Sequence, residues 1–484
     1  MKLLSLCLSG SLAITGGDLF GQVFIQAFSG CPMAHCDGRM SDQVNLVPPA
    51  GPLVGLLYED TVPAGSLPAL GCASNGSVAA CSFTETDPGD PNLVTYNCQI
   101  DGPPSCQMLW STTVLDLNAF ITAPIVGDAG DLIVADGQTV RRFNRSLSDP
   151  NIWEEAWSKP LTGGIPISPV VSFNGWVVVA TKADGTTLGG PIYTFKAENG
   201  AFGQKFEVLN PLEVTSFETL NTPGISLNRF YVIMQLHQFP RVGRLVAIDV
   251  DSAGQMTEAW RFSDNFQGPS GGSPLVIPKS PVGPVNDRIY FDGDPDPDDP
   301  IQLPRVLAVE DSGADPNFLW RTPFPSQIKA SVAQDPRNVP VGVGSIWAFA
   351  AGDAEVKRLN ADSGAEIQKF DLNEKLDTLI GGPLGVPGVQ GPGSVMTIAL
   401  PVAGDPDPIM IVGATTVFQL GIDRTSWVTA VELDAITPTM IWAHKLGDHS
   451  TRTGGQFPII GDFNGNPVVV FSSVSSGAHF VANQ

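Results

Sequence analysis

The chain has 484 residues, 43% of them hydrophobic and only 15% charged, which is enough apolar surface for a sizeable core beneath a sparse ionic coat. Glycine (52) and proline (42) punctuate it throughout, which argues against coiled coils and helical bundles. Forty-nine acidic against 26 basic side chains leave a net charge of -23, a surface that repels phosphate backbones and anionic lipid headgroups, so no nucleic acid is expected as partner.

At the N-terminus, Lys2 precedes the mostly apolar run Leu3–Ile14, and small residues follow. This pattern predicts an export signal over residues 1–21, with an ordinary buried first strand as the alternative. Cys7 lies too close to the start to serve as an acylation site behind an export core. No later run reaches eighteen apolar residues, so no membrane span is expected. The other six cysteines (Cys31, Cys36, Cys72, Cys81, Cys98 and Cys106) fall in the first quarter of the chain. Behind an export signal they predict three disulfides and a secreted, periplasmic or cell-surface protein. Six cysteines allow fifteen pairings; neighbour pairing, 31–36, 72–81 and 98–106, would let each bridge flank a short turn.

A repeat then runs the length of the chain. One element is a strand with an Asp/Asn–Gly turn leading to a strand that ends in an aromatic residue. It recurs from Tyr96 to Trp110, Phe143 to Trp157, Phe195 to Phe206, Ala247 to Trp260, Ala308 to Trp320, Leu359 to Phe370 and Ala430 to Trp442. After each aromatic comes a short apolar strand, mostly opened by proline, at Pro124, Pro169, Pro223, Pro274, Pro383 and Pro458; Ser331-Val332-Ala333 is the copy without it. A β-branched partner strand follows, as in Asn174–Val179, Asp287–Phe291 and Gly344–Phe349. Four short strands in a unit of roughly 40–50 residues define a blade of an all-β propeller. No stretch shows sustained helical periodicity.

A further Pro-opened strand at Leu67–Leu70 completes a blade ending at Trp110, so the count expected is eight. The last blade has two strands after Trp442, and its missing partners are expected from before Pro68, with Leu53–Tyr58 as one. The division is then an N-terminal segment with closing strands (22–63) and a propeller (64–484). Seven blades with residues 22–90 as a disulfide-bonded cap is the alternative. An open propeller would expose sheet edges, hence the expectation of closure.

Several motifs suggest chemistry. Asp292, Asp294, Asp296 and Asp298 could supply hard oxygen ligands to calcium, against a stiff, solvated acidic loop as the plainer reading. Gly461–Asn466 is half of a propeller calcium loop or a plain hairpin turn. Gly268-Pro269-Ser270-Gly271-Gly272 matches the nucleophile-elbow pattern, but a strand rather than a helix follows it. The five histidines have no metal-binding spacing. Residues 264–273, 292–304 and 401–427 read as long loops, where a rigid scaffold carries function.

The Ala-x-Asp-x-x-x-Gly-x-x-x-Trp-like units, best in Ala308–Trp320 and Leu359–Phe370, resemble the pyrroloquinoline-quinone-type repeat of quinoprotein dehydrogenases. They are also similar to the outer-membrane assembly propeller of Gram-negative bacteria. The resemblance implies that Trp110, Trp157, Phe206, Trp260, Trp320, Phe370 and Trp442 each pack against the neighbouring blade. It also implies a quinone- and calcium-dependent oxidoreductase or an assembly scaffold as possible activities. The adjacent-cysteine pair of the dehydrogenases has no counterpart here. The function expected is therefore a secreted, monomeric, non-catalytic propeller that binds a protein or glycan.

Overall fold

The fold was analysed in a computed structural model. It describes the chain from Cys31 to Asn483 apart from 45–48, 51–53, 61–68, 84–88, 100–104, 116–121, 186–188, 210–215, 237–242, 264–271, 280–283, 294–302, 339–343, 351–353, 381–395, 400–405, 419–422, 449–458, 474–476 and scattered single or paired positions. The expected export signal over 1–21 lies outside the described residues.

The protein is an all-β propeller. Seven sheets of antiparallel strands follow one another, each built from strands neighbouring in the chain, and Gln43–Val44 of the N-terminal segment adds in parallel to Thr397–Ala399 at the edge of the seventh. Sheet 1 shows the plan: Ala69–Ser74, Ala79–Phe83, Leu93–Gln99 and Ser105–Thr112 pair in sequence order. Sheets 2 to 7 span 125–160, 170–206, 217–262, 275–323, 333–371 and 397–448. Burial orders the strands within each. First strands such as Ile125–Val126 and Leu275–Ile277 are wholly buried, whereas fourth strands such as Pro316–Pro323 and Glu366–Asp371 are largely exposed. First strands therefore line the axis and fourth strands form the rim.

The expectation of eight blades is corrected to seven: seven blades are built from strands neighbouring in the chain, and the sheet where the chain ends is of another kind. The remaining sheet is composite: Ile459–Phe463, Asn466–Ser473 and Gly477–Asn483 come from the C-terminus, and Val54–Asp60 pairs antiparallel with the last of them. Three strands, not two, follow Trp442, because 477–483 forms a strand of its own. The N-terminal segment therefore lends this sheet one strand.

The expected Pro383 strand lies outside the described residues, among which Thr397–Ala399 is the first strand of sheet 7 in chain order after Leu372–Ile380. One other expectation fails: 409–418 and 423–427 are no loop, since Ile409–Phe418 and Asp423–Glu432 pair along ten residues. A nine-residue helix, Leu372–Ile380, also follows sheet 6; it buries Leu372 and Leu376 and is too short for periodicity to announce. Among the described residues no helix is long and apolar enough to cross a membrane.

Three disulfides join neighbours: Cys31–Cys36, Cys72–Cys81 and Cys98–Cys106. The last two pairs stand directly opposite each other across adjacent strands of sheet 1. The first closes a turn placed at the axis. Cys31 O accepts from Ser74 N–H (2.7 Å) on sheet 1, and Arg39 O accepts from Val276 N–H (2.7 Å) on sheet 5. Between them Met33 and Met40 are fully buried in the core that holds the first-strand residues Ile125, Val170 and Ile225 of sheets 2, 3 and 4. A first strand has a sheet partner on one side only, so its axis-facing amides need acceptors. The disulfide-closed turn supplies them and plugs the axis with methionine, a side chain suited to irregular gaps.

Candidate functional site: the clasp face

In a four-stranded antiparallel sheet the turns joining strands 1–2 and 3–4 emerge at one end. These turns form one face of the ring, and on it polar side chains link each of sheets 1 to 6 to the next. Asn75 Nδ2 donates to Gly127 O (3.0 Å), linking sheets 1 and 2. Arg142, almost fully buried, pairs with Asp131 (2.9 Å) and donates to Ala197 O and Glu198 O (both 3.1 Å) of sheet 3. Asn174 Nδ2 donates to Val250 O (3.1 Å) and Asp251 O (2.9 Å) of sheet 4. Arg229 joins sheets 4 and 5, Arg288 reaches Asp362 on sheet 6, and Arg337 pairs with Asp407 (3.1 Å) between the first two strands of sheet 7. Turn carbonyls have no ladder partner, and these clasps satisfy them.

A groove of about 640 Å³ lies on this face between sheets 4 and 5. Arg229 forms its floor: Nε and NH2 fork onto Asp249 (2.7 Å each), and NH1 reaches Asp311 Oδ2 (2.8 Å). Asp311 Oδ1 accepts from Trp260 Nε1 (2.9 Å). The Tyr231 hydroxyl sits 2.8 Å from Asp311 Oδ2 and 3.0 Å from Asp287 Oδ2, donating to one at a time. Burial alone would raise the Asp311 carboxyl, but donation from Arg229, Trp260, Tyr231 and the Gly313 N–H outweighs it and holds the group below its ordinary range. Burial, with Asp287 and Asp311 adding to it, pushes the Tyr231 phenol upward. The site therefore holds a charged, hydrogen-bonded network centred on Arg229 and Asp311. It can bind, orient and discriminate polar and cationic groups.

The expected aromatics occupy the outer strands. Trp157 Nε1 donates to Ala197 O (3.2 Å), Trp260 Nε1 to Asp311, and Trp320 Nε1 to Ala361 O (2.9 Å), in each case on the following sheet. Trp442 Nε1 donates to Pro49 O (2.7 Å) of the N-terminal segment. Trp110 packs edge-on against Phe143 of sheet 2 (5.5 Å), and Phe370 lies in the core shared by sheets 6 and 7. One cause recurs. In five sheets an unpaired, bulged residue (Leu109, Ala156, Ala259, Leu319 or Ile441) immediately precedes the tryptophan. A bulge re-aims the side chain beside it, here toward the neighbouring sheet. Sheet 3 differs: Phe206 is only half-buried, and Trp176 on the second strand takes the slot instead, against Gly254 and with Nε1 to Ser252 O (3.3 Å).

Of the four aspartates expected to bind calcium, Asp292 is buried on the strand Asp287–Gly293, not in a loop. Asp294, Asp296 and Asp298 lie outside the described residues, as do Pro269, Ser270 and Gly271 of the nucleophile-like motif, His35, His237 and His449. Among the described residues no three His, Cys, Asp or Glu side chains come together as a metal-binding group. The groove itself was missed. Its sequence signal is the recurrence of Asn228-Arg229-Phe230-Tyr231 as Asp287-Arg288-Ile289-Tyr290, which sets an arginine and a tyrosine at the same register in adjacent sheets.

No family model and no curated protein sequence matches the chain. Solved structures do. The chain is similar to a europium-containing methanol dehydrogenase, with a TM-score of 0.59 and 11% identity over 92% of this chain and 89% of that one. It is similar to the quinohemoprotein alcohol dehydrogenase ADHIIG from Pseudomonas putida HK5, at 0.55 and 11% over 93% and 76%. It is also similar to Sqt1 of Saccharomyces cerevisiae, at 0.50 and 8% over 91% and 100%. At such identities the likeness is one of fold.

Proposed function

We propose that this protein is an exported, non-catalytic propeller that binds a protein or glycan partner on its clasp face. One observation carries the reading. Met33 and Met40 of the Cys31–Met40 segment are buried in the core among first strands, while a groove of about 640 Å³ opens on the clasp face and is lined by hydrogen-bonding groups. The disulfides and the cysteine positions support an oxidising compartment. The pairing of Val54–Asp60 with Gly477–Asn483 supports a ring closed by the N-terminal segment. The oxidoreductase reading has the dehydrogenase-like fold in its favour, and one measurement separates the two. The absorbance spectrum and thermal midpoint of the oxidised protein are recorded with and without pyrroloquinoline quinone plus Ca²⁺. No chromophore and no shift is the expected result. A ligand present at 100 Kd and specific for the folded state adds about 2.7 kcal/mol, so a midpoint shift that needs both additives would replace this reading with a quinone enzyme.

A further inference from the structure

The five most exposed large apolar side chains among the described residues all stand on turns of the clasp face: Leu147 (94%), Ile436 (88%), Val285 (84%), Phe173 (82%) and Leu227 (63%). Three of them occupy the 1–2 turns of consecutive sheets 3, 4 and 5. Phe173 and Leu227 are joined directly, since Phe173 N–H donates to Leu227 O (2.9 Å). Leu227 lines the groove, and Val285 adjoins its lining residue Asn286. Leu227 is also one of four described non-glycine residues with positive φ, at 56°. A left-handed leucine is strained where glycine would not be, and its side chain gains no compensating burial. A site that is both strained and exposed points to a role outside the fold.

The surrounding charge selects the occupant. Glu198, Asp251 and Asp315 are exposed on turns beside this row, Asp362 is already paired with Arg288, Lys279 is the exposed cation of the groove lining, and the chain as a whole carries -23. Such a surface opposes a second copy of itself and attracts basic groups. We propose that the clasp face across sheets 3 to 5 docks a cationic, apolar-bearing polypeptide segment of a partner protein. The apolar side chains of that segment cover Phe173, Leu227 and Val285, and its basic groups meet the acidic turns. This proposal rests on the binding-propeller reading above.

The probe is a fluorescently labelled amphipathic Lys/Leu peptide, with its Glu/Leu counterpart as control, titrated by anisotropy at low and high salt. The oxidised full chain is compared with F173S/L227N and with L209S, which removes an exposed leucine from the opposite face. Leu227→Asn suits the left-handed backbone, so the double variant keeps its thermal midpoint. The expected result is binding of the Lys/Leu peptide that weakens with salt, an unchanged L209S, and about a ten-fold loss in F173S/L227N, equivalent to about 1.4 kcal/mol. Equal affinity in F173S/L227N, a similar loss in L209S, or equal binding of the Glu/Leu peptide would overturn the proposal. Hydrogen exchange then tells which reading failed. Protection confined to the opposite face removes this surface but keeps the binding propeller. No protection anywhere, together with a quinone-dependent midpoint shift, removes both.

Discussion

If the tryptophans hold neighbouring sheets together, a single methyl group in the right place should loosen the ring. Gly364, on the 3–4 turn of sheet 6, has φ +70°, and a Cβ built there would lie 2.4 Å from Trp320 Cε3 and 2.7 Å from Thr322 Oγ1. The indole cannot move aside freely, because Nε1 donates to Ala361 O (2.9 Å) and the ring packs against Tyr290 (5.9 Å). Gly364→Ala therefore carries two costs: about 1–2 kcal/mol for a left-handed alanine and about 1–3 kcal/mol for overpacking. Gly185→Ala isolates the first, since Gly185 has φ +83° with nothing within 4 Å of its built Cβ. Equilibrium unfolding in guanidinium, followed by circular dichroism, should place G364A below G185A by about 1–3 kcal/mol, the overpacking cost alone. Adding Trp320→Leu removes the clash, so the penalty of G364A in that background should fall to that of G185A, a coupling measured by the double-mutant cycle. Equal destabilisation by G364A and G185A would refute the idea that this glycine exists to receive the tryptophan.

Two further outcomes follow from the buried clusters. Asp335 is fully buried, accepts from Trp347 Nε1 (2.9 Å) and Arg337 NH2 (2.9 Å), and forms an ion pair with Arg358, whose Nε lies 2.9 Å away and donates to Ser345 Oγ. Asp335→Asn should cost about 1–3 kcal/mol in the same unfolding assay, because it removes the charged acceptor facing the half-buried Arg337 and Arg358, of which Arg337 keeps Asp407. Burial alone would raise the Asp335 carboxyl, but Arg337 and Arg358 overcome this and hold it below its ordinary range, as their counterparts do for Asp311. With folded values depressed, this stability is complete above the unfolded carboxyl range, about pH 4, and disappears as pH falls through the folded values. The wild type should therefore lose midpoint steeply in acid, and D335N should show a shallower acid limb. At the axis, C31S/C36S should cost about 2 kcal/mol by loop entropy. It should also speed amide exchange at Ser74 and Val276, whose N–H groups bond to that segment; unchanged exchange there would mean the plug holds without its disulfide.

The recurrence of a proline-opened strand, a turn and an aromatic made the propeller and its disulfide pairs legible, because both are local: each strand pairs with its chain neighbour and each cysteine with the next. What the sequence hid was non-local. Phe206 and Trp176 are both aromatic residues of sheet 3, and only the position of Gly254 on the next sheet decides that Trp176 docks. Asp423–Trp427 looked like loop because polar and apolar residues mix there, yet Ile409–Phe418 gives the strand Asp423–Glu432 a ten-residue partner. Met33 and Met40 carry no pattern, and their burial depends on first-strand residues 85 to 192 positions away, Ile125, Val170 and Ile225. The arginine clasps share the fault: Arg229 and Arg288 look like solvated strand ends until the next sheet's turn supplies the carboxylate.

These clasps also explain how an exposed apolar row can be a rigid one. Arg142, Asn174 and Arg229 each tie a turn of one sheet to a turn of the next, so that Phe173 and Leu227 stand on backbone held from both sides. A surface ordered before its partner arrives loses little conformational entropy on binding, and more of the contact energy remains as affinity. The same links make the face insensitive to pH near neutrality, since Asp311 and Asp335 are held ionised by partners that do not titrate there. Recognition on this face should then depend on salt and on apolar area and be nearly independent of pH, whereas the stability of the ring beneath it fails in acid.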